Sequence, residues 1–102
     1  MTEWPIERFP EAFREDLRTA ITMLKSLGAT NVYVFGSLVQ PRTATPPRDI
    51  DIAVEGLPKR HFYTAYGRLL MQLDHDIDLI DLDNPAAFVQ RLKELGRLER
   101  VA

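Results

Sequence analysis

NVYVFGSLVQPRTATPPRDIDIAV, residues 31–54, decides how the rest of the chain is read. Its opening NVYVF, 31–35, is short, β-branched and aromatic, and lies between Gly28 and Gly36, so it reads as a buried strand. Its closing DIDIAV, 49–54, reads as a second strand. Side chains alternate across a strand, so Asp49 and Asp51 emerge on one face while Ile50, Ile52 and Val54 take the other.

Outward from this stretch the apolar spacing changes from two to three or four. From Pro10 to Leu27, Phe13, Leu17, Ala20, Ile21, Leu24 and Leu27 form one stripe of a helix that Gly28 stops. Phe62, Tyr66, Leu69, Leu70 and Leu73 predict an amphipathic helix over 59–73, leading to a strand at 76–82. Asn84 as N-cap and Pro85 at the first helical position predict a last helix, with Phe88, Val89, Leu92 and Leu95 as its stripe and Gly96 past its end. Helices alternating with strands predict an α/β sandwich with helices on a short sheet, parallel or mixed.

The 102 residues are read as one domain, 1–102, with a composition (45% hydrophobic, 27% charged) that excludes a mainly disordered or fibrous chain. The absence of cysteine excludes disulfides, thiolate zinc sites, iron–sulfur clusters and thiol nucleophiles, and suits a reducing compartment; a cytoplasmic location is expected. No stretch approaches the roughly 18 consecutive apolar residues of a membrane span. The opening MTEWPIERFPEAFRED has no apolar core of a secretory signal. A net charge of −2 argues against non-specific nucleic-acid binding as the main activity. The acidity is local, because DHDIDLIDLD at 74–83 carries five of the 15 acids and no Lys or Arg.

Two carboxylates held together on a sheet repel each other, and ionising both while desolvated is unfavourable unless protons or a hard cation neutralise them. Oxygen ligands without cysteine point to Mg²⁺ or Mn²⁺ rather than zinc. Asp78, between Ile77 and Leu79, supplies a third carboxylate if its strand lies beside 49–54. Gly36-Ser37, directly after the first strand, allows a tight turn whose hydroxyl and amide N–H groups hold a phosphate oxygen.

A Gly-Ser turn after one strand, Asp-x-Asp on the next and a lone Asp on another resemble the nucleotidyltransferase fold of the DNA polymerase β superfamily. GSLVQPRTATPPRDIDIAV at 36–54 followed by IDLIDL at 77–82 is similar to its smallest branch, the minimal nucleotidyltransferases (MNT), the antitoxin half of HEPN/MNT toxin–antitoxin pairs. The resemblance covers nearly the whole chain. It implies an α+β fold with a short, mostly mixed sheet of three or four strands packed with three to four helices. It implies Gly36 and Ser37 at the nucleotide's phosphates, and Asp49, Asp51 and Asp78 as catalytic carboxylates and metal ligands for two Mg²⁺, with Mn²⁺ as substitute. The implied reaction moves AMP from ATP to a hydroxyl, that of a tyrosine, on a HEPN toxin encoded beside it, in a hetero-oligomer with no membrane or direct nucleic-acid partner. The alternative is an inactive antitoxin of the same fold that neutralises its partner by binding alone.

The chain departs from the family's pattern in the loop. Eleven residues separate Ser37 from Asp49 where about ten are usual, the loop's common glycine is absent, and Pro41, Pro46 and Pro47 stiffen it. Arg48 stands where serine is frequent, placed to contact a phosphate or to neutralise Asp49.

Other polar residues are given plainer roles. Asp76, Asp81 and Asp83 read as a solvated rim or strand-end turn, and His61 and His75 as surface or capping residues. Tyr63 and Tyr66 read as core or half-buried packing. Arg91, Lys93, Arg97 and Arg100 read as the solvent face of the last helix and tail, or as a basic patch toward a partner. Trp4 and Phe9 either cover the core or mark a docking surface.

Overall fold

In the computed structural model, which describes residues 3–41 and 45–102, the first long element is helix α1, Glu11–Ser26. Its buried apolar side chains, Phe13, Leu17, Ala20 and Leu24, fall three or four apart and so share one face. The helix ends where Gly28 adopts φ +112°, with Gly28 N–H donating to Lys25 O and Ala29 N–H to Leu24 O. That paired closure satisfies carbonyls the helix leaves over, and it turns the chain into strand β1, Asn31–Phe35.

Strand β2, Ile50–Glu55, lies antiparallel to β1, with Val34 opposite Ile52 and Phe35 opposite Asp51. Helix α2, Lys59–Gln72, then carries the chain back so that strand β3, Ile77–Asp81, runs parallel to β2. A parallel pair requires such a crossover, because no tight turn returns a chain to the same direction. Helix α3, Ala87–Leu95, follows, and a short strand β4, Glu99–Arg100, pairs antiparallel with β1. The sheet is therefore mixed, in the order β3-β2-β1-β4, with three helices packed on it. This is the architecture the family resemblance implies.

The two faces of the sheet are covered unequally, and that positions the site. Val32, Val34, Ile50, Ile52, Val54, Ile77 and Leu79 point into the main core with α1 and α2. Burying each such side chain stabilises the fold by about 1.5–3 kcal/mol. On the opposite face α3 buries Val89 against Ala53 and Leu82, with Tyr33, Phe35, Ile80 and Leu92 around them. The end of that face where β2 and β3 begin is left to Asp51 and Asp78.

Three details differ from the sequence reading. Asn84 does not cap α3: its Oδ1 accepts the N–H of Ala86 in a local turn at 2.9 Å, and the helix begins at Ala87, not at Pro85. Arg100 is not on the solvent face but lies in β4, opposite Tyr33, where its Nε is buried and, among the described residues, has no hydrogen-bond partner. Its carbonyl accepts the N–H of Trp4, which packs on buried Phe9 with the Arg8 guanidinium 3.9 Å from its ring centroid. Trp4 and Phe9 thus cover the core. Tyr63, read as packing, is 81% exposed.

His75 does more than cap. Asp16 is a buried carboxylate on α1, 6% exposed, and it accepts the His75 ring Nδ1 at 2.7 Å and the N–H groups of His75 and Asp74. Burial alone would raise the Asp16 pKa, but the hydrogen bonds from the His75 ring and from the two N–H groups outweigh it and hold the carboxyl below its ordinary value. Phe13 stacks on the His75 ring at 4.1 Å, so the turn before β3 is tied to α1.

Candidate functional site

Parallel register places Asp51 of β2 directly beside Asp78 of β3. Both lie on the sheet face opposite the main core, so their carboxylates are cross-strand neighbours. Asp49, just before β2, is exposed and close enough to act on Asp51 electrostatically. Burial first, then Asp78, then Asp49, push the Asp51 carboxyl above its ordinary pKa. Among the described residues none of the three forms an ion pair with a Lys, Arg or His.

Gly36 closes the site from β1. The chain leaves Phe35, opposite Asp51, into a helical turn over Gly36–Leu38 with Gly36 at φ +72°. A side chain there would overlap Asp51 Oδ2 and sit 3.1 Å from Asp51 Cγ. Glycine is thus required twice, for its backbone conformation and for the room the carboxylate occupies. Ser37 is second in a turn whose leading N–H groups have no acceptor within the turn.

A cleft of about 620 Å³ opens beside this turn, lined by Gly36, Ser37, Gln40, Arg48, Asp49 and Asp51, with Thr45 and Pro46 on the loop side. Five of the six site residues expected from the sequence thus line one cleft. The sixth, Asp78, is not in its lining but stands next to Asp51. Gln40 and Thr45 were not foreseen; neither belongs to a motif. Residues 42–44 of the proline-rich loop lie outside the described residues.

Tyr66 is the residue that sequence reasoning passed over. Its hydroxyl, carried by α2, sits 3.2 Å from Asp78 Oδ1 and 3.3 Å from the Ile77 carbonyl, so that its one proton is shared between the two acceptors. Burial first, and then the Asp78 charge and hydrogen bond, raise its pKa, so it remains a donor toward the carboxylate. Helical periodicity marked Tyr66 as apolar stripe; only the fold shows that its tip reaches across to β3. Asp81 and Asp83 are the strand-end turn expected: Asp81 Oδ1 accepts Asp83 N–H, and Asp83 Oδ2 accepts Gly56 N–H.

Among the described residues, no group of three or more His, Cys, Asp or Glu side chains is gathered tightly enough to hold a metal ion by itself. Mg²⁺, however, is usually held by one or two carboxylates together with water and substrate phosphates rather than by an all-protein cage. A carboxylate whose pKa is raised by burial and then by two like charges, with no cation paired to it among the described residues, fits a hard-cation site that a nucleotide would complete. No helix among the described residues is long and apolar enough to cross a membrane.

No protein-family model and no curated protein matches the chain. Solved structures do. A toxin–antitoxin structure with AMP-PNP is 29% identical, with a TM-score of 0.58 over 79% of this chain and 69% of that one. A structure of tri-AMPylated Shewanella oneidensis HEPN toxin in complex with MNT antitoxin is 25% identical, with a TM-score of 0.57 over 83% of this chain and 69% of that one. An MntA–HepT toxin–antitoxin structure, 24% identical at a TM-score of 0.56, shares the fold. The chain is therefore similar over most of its length to MNT–HEPN toxin–antitoxin structures, the group that its Gly-Ser, Asp-x-Asp and lone-Asp motifs resemble.

Proposed function

We propose that the chain is a Mg²⁺-dependent nucleotidyltransferase that moves AMP from ATP to a tyrosine hydroxyl of a HEPN-type toxin and so acts as its antitoxin. The observation that carries this reading is Asp51 beside Asp78 in parallel register, at the edge of the cleft that Gly36 and Ser37 open. The structures similar to it, one with AMP-PNP and one of an AMPylated HEPN toxin, point to the same chemistry.

In this reading Ser37 and the turn's N–H groups hold phosphate oxygens, and Arg48 offers a guanidinium on the same cleft. Asp49, Asp51 and Asp78 would hold Mg²⁺, whose chemistry is to neutralise charge on the triphosphate and on the leaving oxygen. The acceptor hydroxyl attacks the α-phosphorus; a new P–O bond forms as the bond to the β-phosphate's bridging oxygen breaks, and pyrophosphate leaves in line. The hydroxyl proton passes to the Asp78 carboxylate, which Tyr66 orients.

A second reading, the same fold as an inactive binding module, is favoured by the lack of a tight three-carboxylate group among the described residues. Labelled ATP, Mg²⁺ and the product of the neighbouring gene, which this reading expects to be a HEPN protein, separate the two. Label on the partner, lost with Asp49→Ala and with Asp78→Ala, supports transfer. A tight but unlabelled complex supports the module.

A further inference from the structure

Helix α2 leaves an apolar face in water. Tyr63, Leu70 and Met71 are 81%, 56% and 89% exposed, and with Gly67 between them they recur at helical spacing on one side of the helix. The opposite side carries buried Ala65 and Leu69. Large apolar side chains clustered in this way mark a surface that gains by being covered.

Gly67 sits in the middle of that face, and nothing within the fold asks for glycine there. Its φ is not positive, and a Cβ built on it would meet nothing within 4 Å. Glycine is among the poorest helix formers, so the fold of the single chain gives no reason for one inside an exposed helix. What the missing side chain does provide is a notch at which a second helix can come close.

Charge says which helix. Lys59 and Arg60 stand in the first turn of α2, which has no acid, and the last turn has no base. The first arrangement opposes the helix dipole and the second leaves its negative end uncompensated. Exposed Asp74 follows just past that end, and among the described residues none of Lys59, Arg60 and Asp74 forms an ion pair.

We infer that α2 is the contact surface between two copies of this chain, packed antiparallel about a two-fold axis at Gly67. Residues equally far from Gly67 in opposite directions then face each other, Tyr63 against Met71 of the second copy and Arg60 against its Asp74. The first-turn cations of each copy lie against the negative helix end of the other, and a thioether packs on an aromatic ring. A foreign helix could cover the apolar face, but a copy of the chain carries the matching charge at the matching distance from the notch. No lining residue of the Gly36–Ser37 cleft belongs to α2, so both clefts stay open and the inference stands apart from the proposed transfer. A face one helix long is smaller than a standard interface, and the pair is expected to dissociate on the order of 0.1 mM.

A chain without cysteine gives a clean background for cross-linking. Gly67→Cys chains are expected to oxidise to a disulfide dimer, and chains with Lys93→Cys, an exposed position on α3, to stay monomeric. In a mixture of Tyr63→Cys and Met71→Cys chains, mass spectrometry should find the mixed bridge about tenfold over either same-residue bridge; equal yields overturn the antiparallel register. Sedimentation equilibrium of the unmodified chain up to about 1 mM reads the association itself. Gly67→Ala is expected to raise the melting point by several degrees and to weaken association about tenfold, a split that an unpaired helix would not show. Arg60→Glu and Asp74→Arg should each weaken it about tenfold, and the double variant should restore it. An unmodified chain that stays monomeric over that range, or Gly67→Ala chains that associate unchanged, overturn the inference. If the chain is monomeric and Met71→Glu abolishes its complex with the product of the neighbouring gene, the face belongs to that partner instead.

Discussion

Replacing Gly36 by alanine attacks the site where backbone and carboxylate are closest. At φ +72° a non-glycine residue pays about 1–2 kcal/mol in left-handed backbone. The added methyl would also overlap Asp51 Oδ2 and stand 3.1 Å from its Cγ. The overlapped atom is the end of a side chain that can rotate, at about 1 kcal/mol for an off-rotamer position. The domain should therefore fold with a melting point lower by roughly 8–15 °C, for a loss of about 2 kcal/mol in a chain of this size. Its Asp51 carboxylate, however, is displaced. Gly56→Ala is the control, because Gly56 has φ +76° and its added methyl would overlap Thr30 Oγ1 and lie 2.8 Å from Thr30 Cβ, a strain at least as large. It lies roughly 17 Å along β2 from Asp51. Calorimetric titration with AMP-PNP and Mg²⁺ is expected to show affinity reduced on the order of 10–100-fold for Gly36→Ala, as for other disturbances around a metal ligand, and nearly unchanged for Gly56→Ala. If Gly36→Ala binds as tightly as the unmodified chain, the close approach of the turn to Asp51 does not serve nucleotide binding and the site assignment is wrong.

Asp51→Asn should melt a few degrees higher at neutral pH while losing the stabilisation that ATP with Mg²⁺ confers. Burial, Asp78 and Asp49 raise the folded pKa of Asp51, so the ionised group opposes folding; the opposition is complete above the raised value and absent below 3.8, and the two melting curves should converge in acid. His75→Ala leaves the buried Asp16 carboxylate without its ring donor and should lose about 1–3 kcal/mol in urea unfolding at pH 7. Because the Asp16 pKa is lowered by folding, its contribution is present above 3.8 and fades as pH falls through the lowered value, so the deficit should shrink in acid; one that persists there means the loss is Phe13 stacking instead. Tyr66→Phe removes the donor to Asp78 Oδ1 and should slow AMP transfer about tenfold with the KM for ATP unchanged, measured by labelled-AMP incorporation.

Strand and helix order was legible because each element's burial follows its own periodicity: Phe13, Leu17, Ala20 and Leu24 on α1, or Ile50, Ile52 and Val54 on β2, state their buried face without help from neighbours. The Gly36–Ser37 turn and the three aspartates were legible for a similar reason, as they cluster in short motifs. What stayed hidden depends on contacts across long stretches of chain. Asp16 looks like any charge on an amphipathic helix until His75, 59 residues on, returns to it. Tyr66 looks like stripe until β3 brings Asp78 to its hydroxyl. Strand β4 has two residues, Glu99 and Arg100, no alternation and no apolar side chain, so its pairing is decided wholly by the open edge of β1. Asn84 and Pro85 carry start signals that the chain uses for a turn two residues early, an offset that local preference does not resolve.

The unequal covering of the sheet explains why the carboxylates sit where they do. Nine residues of α3 span about 13–14 Å, whereas the six of β2 span about 20 Å, so this helix could not cover the strand's full length in any orientation. An uncovered strand end could carry any polar residue; this one carries two acids side by side, an arrangement that disfavours folding and that threonine or asparagine would avoid. Among the described residues no Lys, Arg or His forms an ion pair with either acid, and the side chains that α3 brings near Asp78 are mostly apolar. Protonation relieves the repulsion in part, as the raised Asp51 pKa shows; under the proposed function a cation arriving with its own anionic ligand does so through the polar cleft behind Gly36 and Ser37, which reaches Asp51. Under the proposed function, instability at the strand end and recognition of a metal-bound triphosphate are two consequences of one placement, and a substitution that cures the first is expected to abolish the second.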